Sequence, residues 1–140
     1  MKKLICFGDS ITAGNTSEDG SDRLIPRLRK SLVGWEVIDA GVSGNNSRDA
    51  VRRTESDVLN QSPDFVTVFF GANDAATHKM IMLDEYHRNI RTIVEMIGSE
   101  KTLLISPSPV DENRPRNRAN EVMMKYAAII EQIAKSTGCK

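Results

Sequence analysis

Long hydrophobic runs are missing from this sequence. The longest are far shorter than the ~20 residues that a membrane-spanning helix requires, which excludes a helical integral membrane protein. Net charge is missing as well: 19 Lys and Arg balance 19 Asp and Glu. No global field therefore favours nucleic acid or an acidic membrane surface. Cysteine is scarce. Cys6 and Cys139 stand alone, without metal-ligand spacing or a disulfide framework, and read as reduced thiols of a cytoplasmic protein. Met1-Lys2-Lys3 has the charge of a signal peptide, but the apolar segment behind it breaks at Gly8-Asp9, so no targeting signal is read there. Repeats, low-complexity tracts and linkers are absent. At 140 residues the chain is expected to form one domain, 1–140, with a core of ordinary size.

What is present is an alternation of strand-like and helix-like segments. Leu4–Phe7 reads as a strand, and Asp22–Val33 follows with Leu24, Ile25, Leu28 and Leu32 at helical spacing. Pro26 is compatible with that helix only in its opening turn. Glu36–Ala40 is a second strand, and Ser47–Leu59 a charged helix that stops ahead of Pro63. Phe65–Phe70, β-branched and aromatic almost throughout, predicts a central strand. Leu83–Ile97 places Tyr86, Ile90, Ile93, Val94 and Ile97 on one helical face, with Gly98 as its stop. Thr102–Ser106 is a fourth strand, and Asn117–Lys135 a last helix with Val122, Met123, Tyr126, Ile129, Ile130 and Ile133 facing inward. The pattern predicts a three-layer α/β fold, a parallel sheet with helices on both faces. A further strand is expected after the last helix. Without it the apolar fourth strand is a bare edge, open to pairing with a second copy of the chain.

The chemistry concentrates where strands end. Gly8-Asp9-Ser10 closes the first strand, Ser43-Gly44-Asn45-Asn46 follows the second, and Gly71-Ala72-Asn73-Asp74 follows the third. Right-handed crossovers bring all three loops to the carboxyl edge of the sheet, the usual ligand position in open α/β folds. Ser10 is a nucleophile only if its deprotonation is assisted and the resulting oxyanion is held. Three donors fit the second need: the backbone N–H groups of Ser10 and Gly44 and the side-chain amide of Asn73. Gly44 lets a ligand approach closely, and Asn73 donates without a charge to desolvate. Asp9 and Asp74 suit turn formation and N–H capping.

These blocks resemble, in order and separation, the first three motifs of the GDSL, or SGNH, family of esterases and acylhydrolases. The likeness runs from Ile5 through the last helix. The resemblance implies a flavodoxin-like sheet, of which the strand pattern of this chain lacks the last strand, with Ser10 as nucleophile and Ser10, Gly44 and Asn73 as oxyanion hole. It implies a small ester or acetyl substrate and neither metal nor organic cofactor. The family's fourth element, an Asp-x-x-His near the C-terminus, is not found there, which points to a form truncated at its C-terminus or one that has lost its triad. The histidines are His78, five residues past Asn73, and His87 in the third helix. His78 reads first as a loop residue and second as a substitute base.

Two other classes compete. Thr12-Ala13-Gly14-Asn15-Thr16 is similar to the hydroxyl-rich phosphate loop of flavodoxins, which would make the chain a mononucleotide-binding module. That reading leaves Ser10 and Asn73 idle, and Trp35, Tyr86 and Tyr126 fall away from the expected flavin position. A non-catalytic binder of acyl esters or carbohydrates, built on a decayed hydrolase, is the third class. Arg114-Pro115-Arg116-Asn117-Arg118 after the fourth strand is read as a solvated loop and, secondarily, as a rim that steers anionic substrates.

Overall fold

The computed structural model describes residues 1–14, 23–113 and 118–140. Parallel strands β1 (Lys2–Gly8), β2 (Trp35–Gly41), β3 (Phe65–Phe69) and β4 (Thr102–Leu104) lie side by side in the order β2-β1-β3-β4. Leu4 stands between Val37 and Phe65, and Val66 stands beside Thr102. This order makes β1 and β3 interior, as the apolar composition of the third strand predicts. Ile5, Cys6 and Phe7 are wholly buried because helices cover both faces.

Alternation along β1 divides the core in two. Ile5 and Phe7 join Val66, Val68, Ile90 and Ile130 in the larger half, while Leu4 and Cys6 join Ile25 and Val37 in the smaller. Helix α2 (Leu24–Ser31) covers the smaller half and holds Pro26 in its first turn. Helices α3 (Ser47–Asp57), α4 (Leu83–Ile97) and α5 (Asn120–Thr137) cover the larger. Each fully buried aliphatic or aromatic side chain in these halves contributes about 1.5–3 kcal/mol. The short helix α1 (Ser10–Ala13) follows β1 directly.

Element types agree with the sequence pattern, and the differences are at the ends. The helix expected to reach Leu59 stops at Asp57 and is followed by a 3₁₀ turn, Leu59–Gln61. Asp22 and Asn117, the expected starts of two helices, lie outside the described residues, as do Asn15, Thr16, Arg114 and Arg116. The expected bare edge is partly covered. Leu104 N–H donates to Lys140 O at 2.7 Å and Lys140 N–H donates to Thr102 O at 3.2 Å, a parallel bridge opposite Leu103. Among the described residues no helix is long and apolar enough to cross a membrane.

The strand order fixes where a ligand could sit. From β1 the chain moves outward to β2, then crosses back over β1 to β3. The carboxyl ends of β1 and β3 therefore flank a topological switch point. The loops containing Ser10 and Asn73 leave the sheet there.

Candidate active site

Ser10 is positioned by its neighbours in sequence. Asp9 adopts an extended conformation and caps α1, its carboxylate accepting Ile11 N–H at 2.9 Å. As the first residue of α1, Ser10 has no intrahelical acceptor for its N–H. The end of β2 packs directly on this turn: a Cβ at Gly41 would lie 2.5 Å from Ala13 N and 2.9 Å from Asp9 O. Val42 N–H donates to Gly8 O at 3.0 Å, holding the first and second loops together.

Arg53 of α3 braces the same corner. Its Nη2 donates to Gly8 O at 2.8 Å, its Nη1 to Ala40 O at 2.9 Å and its Nε to Asn45 Oδ1 at 2.6 Å, while its guanidinium lies 4.6 Å from the Phe7 ring centroid. Sequence reasoning missed this residue. The available signal was an arginine three positions after Ala50, on the flank of an inward-facing stripe.

The second and third loops meet through Asn73. Its Nδ2 donates to Asn45 O at 2.9 Å and lies 3.5 Å from Asp9 Oδ2. A primary amide carries two hydrogens. One is committed to Asn45, and the other makes a contact to Asp9 long enough for a ligand oxygen to displace. Gly44 takes φ +81°, a left-handed conformation that side-chain-bearing residues rarely adopt. Lys79 Nζ donates to Gly44 O at 3.0 Å. Among the described residues the N–H groups of Ser10 and Gly44 donate no hydrogen bond. The segments carrying Ser10, Gly44 and Asn73 are thus tied into one corner.

The flanking acids have structural work. Asp74 is fully buried and accepts Ser47 N–H at 3.0 and 3.1 Å and Ser47 Oγ–H at 2.5 Å, which pins the start of α3 beneath the third loop. Burial pushes its pKa up to about 6 against the lowering effect of those bonds. Burial also raises the pKa of Asp9, opposed by the Ile11 N–H bond and by the charge of Arg118. Arg118, just ahead of α5, donates from Nε to Ala72 O and from Nη2 to Asn73 Oδ1 at 3.1 Å.

Neither histidine makes a hydrogen bond among the described residues. His78 is exposed on the 3₁₀ turn Thr77–Lys79, and His87 is half-buried on α4. An Asp-x-x-His spacing does occur at Asp84-Glu85-Tyr86-His87, which the sequence reading passed over. There Asp84 faces solvent and pairs with Arg88 at 3.5 Å, and no hydrogen bond joins it to His87. Thr12, part of the phosphate-loop reading, is buried against Gly8. Tyr86 and Tyr126 stack edge-on in the core, with centroids 5.0 Å apart. No group of His, Cys, Asp and Glu able to hold a metal occurs among the described residues.

Residues 6–140 match the model of the GDSL-like lipase/acylhydrolase family. Acetylxylan esterase of Geobacillus stearothermophilus is 28% identical over 159 residues, covering 97% of this chain and 73% of that protein. The isoamyl acetate-hydrolyzing esterase 1 homolog of Mus musculus is 30% identical over 165 residues, and there the chain spans 64% of the relative's length. The crystal structure of the lipase/acylhydrolase from Enterococcus faecalis superimposes with a TM-score of 0.91 at 32% identity, covering 99% of this chain and 74% of that one.

Proposed function

This chain belongs to the GDSL-like lipase/acylhydrolase family, and from that premise we propose that it is a serine hydrolase of small carboxylic esters, acetyl esters foremost. Ser10 Oγ attacks the ester carbonyl, and the Ser10 proton passes to a base. The tetrahedral oxyanion is held by Ser10 N–H, Gly44 N–H and Asn73 Nδ2. Collapse expels the alcohol and leaves acyl-Ser10, which water then hydrolyses. The observation that carries this reading is the Asn73 amide: one N–H is held by Asn45 O at 2.9 Å, and the other makes only a long 3.5 Å contact to Asp9 Oδ2, beside the Ser10 turn, which a substrate oxygen can displace. The acetate esters in the names of two relatives support the acetyl preference.

The family's Asp-x-x-His is not among the last residues of this sequence. Oxyanion stabilisation without that pair leaves about 10³–10⁴-fold acceleration over water. Hydrolysis of p-nitrophenyl acetate, with Ser10→Ala as control, tests the reading. Ser10-dependent turnover supports it, and a further loss in His78→Ala or His87→Ala would identify a base within these residues. Turnover no greater than that of Ser10→Ala, together with no Ser10 labelling by a fluorophosphonate, would overturn it. Two buried unpaired thiols, Cys6 and Cys139, support a cytoplasmic setting. The outer side of β4 supports pairing with a second copy.

A further inference from the structure

The arginine cluster after β4 reads from sequence as solvated or substrate-steering, yet Arg118 turns inward onto the third loop. We propose that Arg118 is a positioning residue that fixes which way the Asn73 amide faces. The inference rests on reading Asn73 as an oxyanion donor.

The argument is one of donor and acceptor matching. Arg118 has only donors, and it spends two of them on acceptors of adjacent residues: Ala72 O and Asn73 Oδ1. On its other side the Asn73 amide meets only acceptors, Asn45 O at 2.9 Å and Asp9 Oδ2 at 3.5 Å. A flipped amide would set Oδ1 against those two oxygens and Nδ2 against the guanidinium. Both contacts would be repulsive inside a buried site, where Asn73 is only 6% exposed. A single orientation therefore survives, with one N–H on Asn45 O and the other on the Asp9 side, next to the turn that carries Ser10.

Arg118 is the component that makes the flip costly from the Oδ1 side. Remove it, and Oδ1 loses its only hydrogen-bond donor among the described residues. Lysine cannot replace it fully, because one ammonium does not span two acceptors with the geometry of a planar fork. The backbone contact matters too. By holding Ala72 O, the same guanidinium fixes the chain immediately before Asn73, so position and rotation of the amide are set together. The charge of Arg118 also favours the ionised form of Asp9, which keeps an acceptor, rather than a competing O–H donor, beside Asn73.

The test reads the amide directly. Protein labelled with ¹⁵N-asparagine gives a side-chain NH₂ pair for Asn73, assigned by its loss in Asn73→Ala. The expected wild-type pair is well resolved and slow to exchange with solvent. In Arg118→Gln its shifts move and its exchange accelerates at least tenfold, with Arg118→Lys between the two. Thermal melts identify any variant that fails to fold, and Arg118→Lys is the milder second probe. An Asn73 pair unchanged in both variants would overturn the proposal, whatever the enzyme does. On p-nitrophenyl acetate, Arg118→Gln should lower kcat about tenfold with KM nearly unchanged, less than the 10²–10³-fold typical of deleting an oxyanion donor. In an Asn73→Ala background the same change should cost nothing further. An equal extra loss there would also overturn the proposal. If the amide responds as expected while wild-type protein shows neither Ser10-dependent turnover nor Ser10 labelling by a fluorophosphonate, Arg118 still orients the Asn73 amide and the hydrolase reading of this chain falls.

Discussion

At the scale of single residues, the glycines at strand ends decide how closely the loops approach. Gly41 touches backbone, not flexible side chain, so a methyl group there cannot be accommodated by a rotamer change. Ala13 N at 2.5 Å and Asp9 O at 2.9 Å would both have to shift, and with them the turn that presents Ser10. Gly41→Ala should destabilise by about 3 kcal/mol, at the upper end for overpacking, and reduce any Ser10-dependent turnover. Gly34 is the matched control. It has nothing within 4 Å and a φ of +86°, so Gly34→Ala meets backbone strain alone, about 1 kcal/mol. Chemical denaturation of both variants checks the difference, and equal losses would refute the close-approach argument. That the segments carrying Ser10, Gly44 and Asn73 meet was legible, because each follows a strand in a loop of small polar residues. Arg53 and Arg118 were not. Their role depends on which carbonyls lie opposite, and no local pattern announces that a charged residue on a helix flank or loop turns inward.

At the scale of elements, α3 is tied to its neighbours by polar contacts that connect the site to the scaffold. Ser47 opens the helix and donates to Asp74, Asn89 of α4 donates to Ser47 Oγ at 3.0 Å, and Arg48 pairs with Glu85 at 2.8 Å on the surface. The capping box between Asn46 and Asp49 satisfies further N–H groups. Buried Asp74 makes this junction sensitive to pH. Its folded-state pKa, about 6, exceeds the ordinary 3.8. The folded state therefore binds its proton more tightly than the unfolded chain does. That contribution is fully present below about pH 4 and is lost as pH rises through about 6. A shift of this size corresponds to roughly 3 kcal/mol, and the raised pKa of Asp9 adds in the same direction. Asp74→Asn cannot ionise; its Oδ1 can keep the Ser47 N–H bond, and its Nδ2 can donate to Ser47 Oγ, since a hydroxyl accepts as well as donates. Urea midpoints at pH 4.5 and pH 7.5 should fall with pH in the wild type and fall less in the variant. A parallel decline in the two would refute the assignment. Helix and strand identities were legible from apolar spacing, since every long helix carries a single buried stripe. The exact ends were not, because they depend on contacts such as this one between distant loops.

At the scale of the whole molecule, the sheet has two edge strands, β2 and β4, and the β4 edge is covered only in part. Lys140 pairs opposite Leu103, but the next outward-facing groups along that edge, Leu104 O and Ser106 N–H, donate or accept no hydrogen bond among the described residues. Beside them run two adjoining apolar grooves of about 390 and 560 Å³, which share Met124 and Ala127 of α5 as lining. The expectation of an exposed fourth strand came from counting strands and helices. The partial cover by Lys140 could not be read, because Gly138 redirects the chain out of α5 in a left-handed conformation before the bridge forms. An open strand edge beside apolar surface favours association through backbone pairing and burial rather than through charge. The mass by light scattering should therefore rise with protein concentration and be little affected by salt. Met124 is 72% exposed, so Met124→Lys should leave folding intact while placing a charge in the groove that a second copy would bury. The variant should remain monomeric where the wild type associates. A wild-type mass that stays monomeric across a hundredfold dilution series would rule out this edge as an interface between copies.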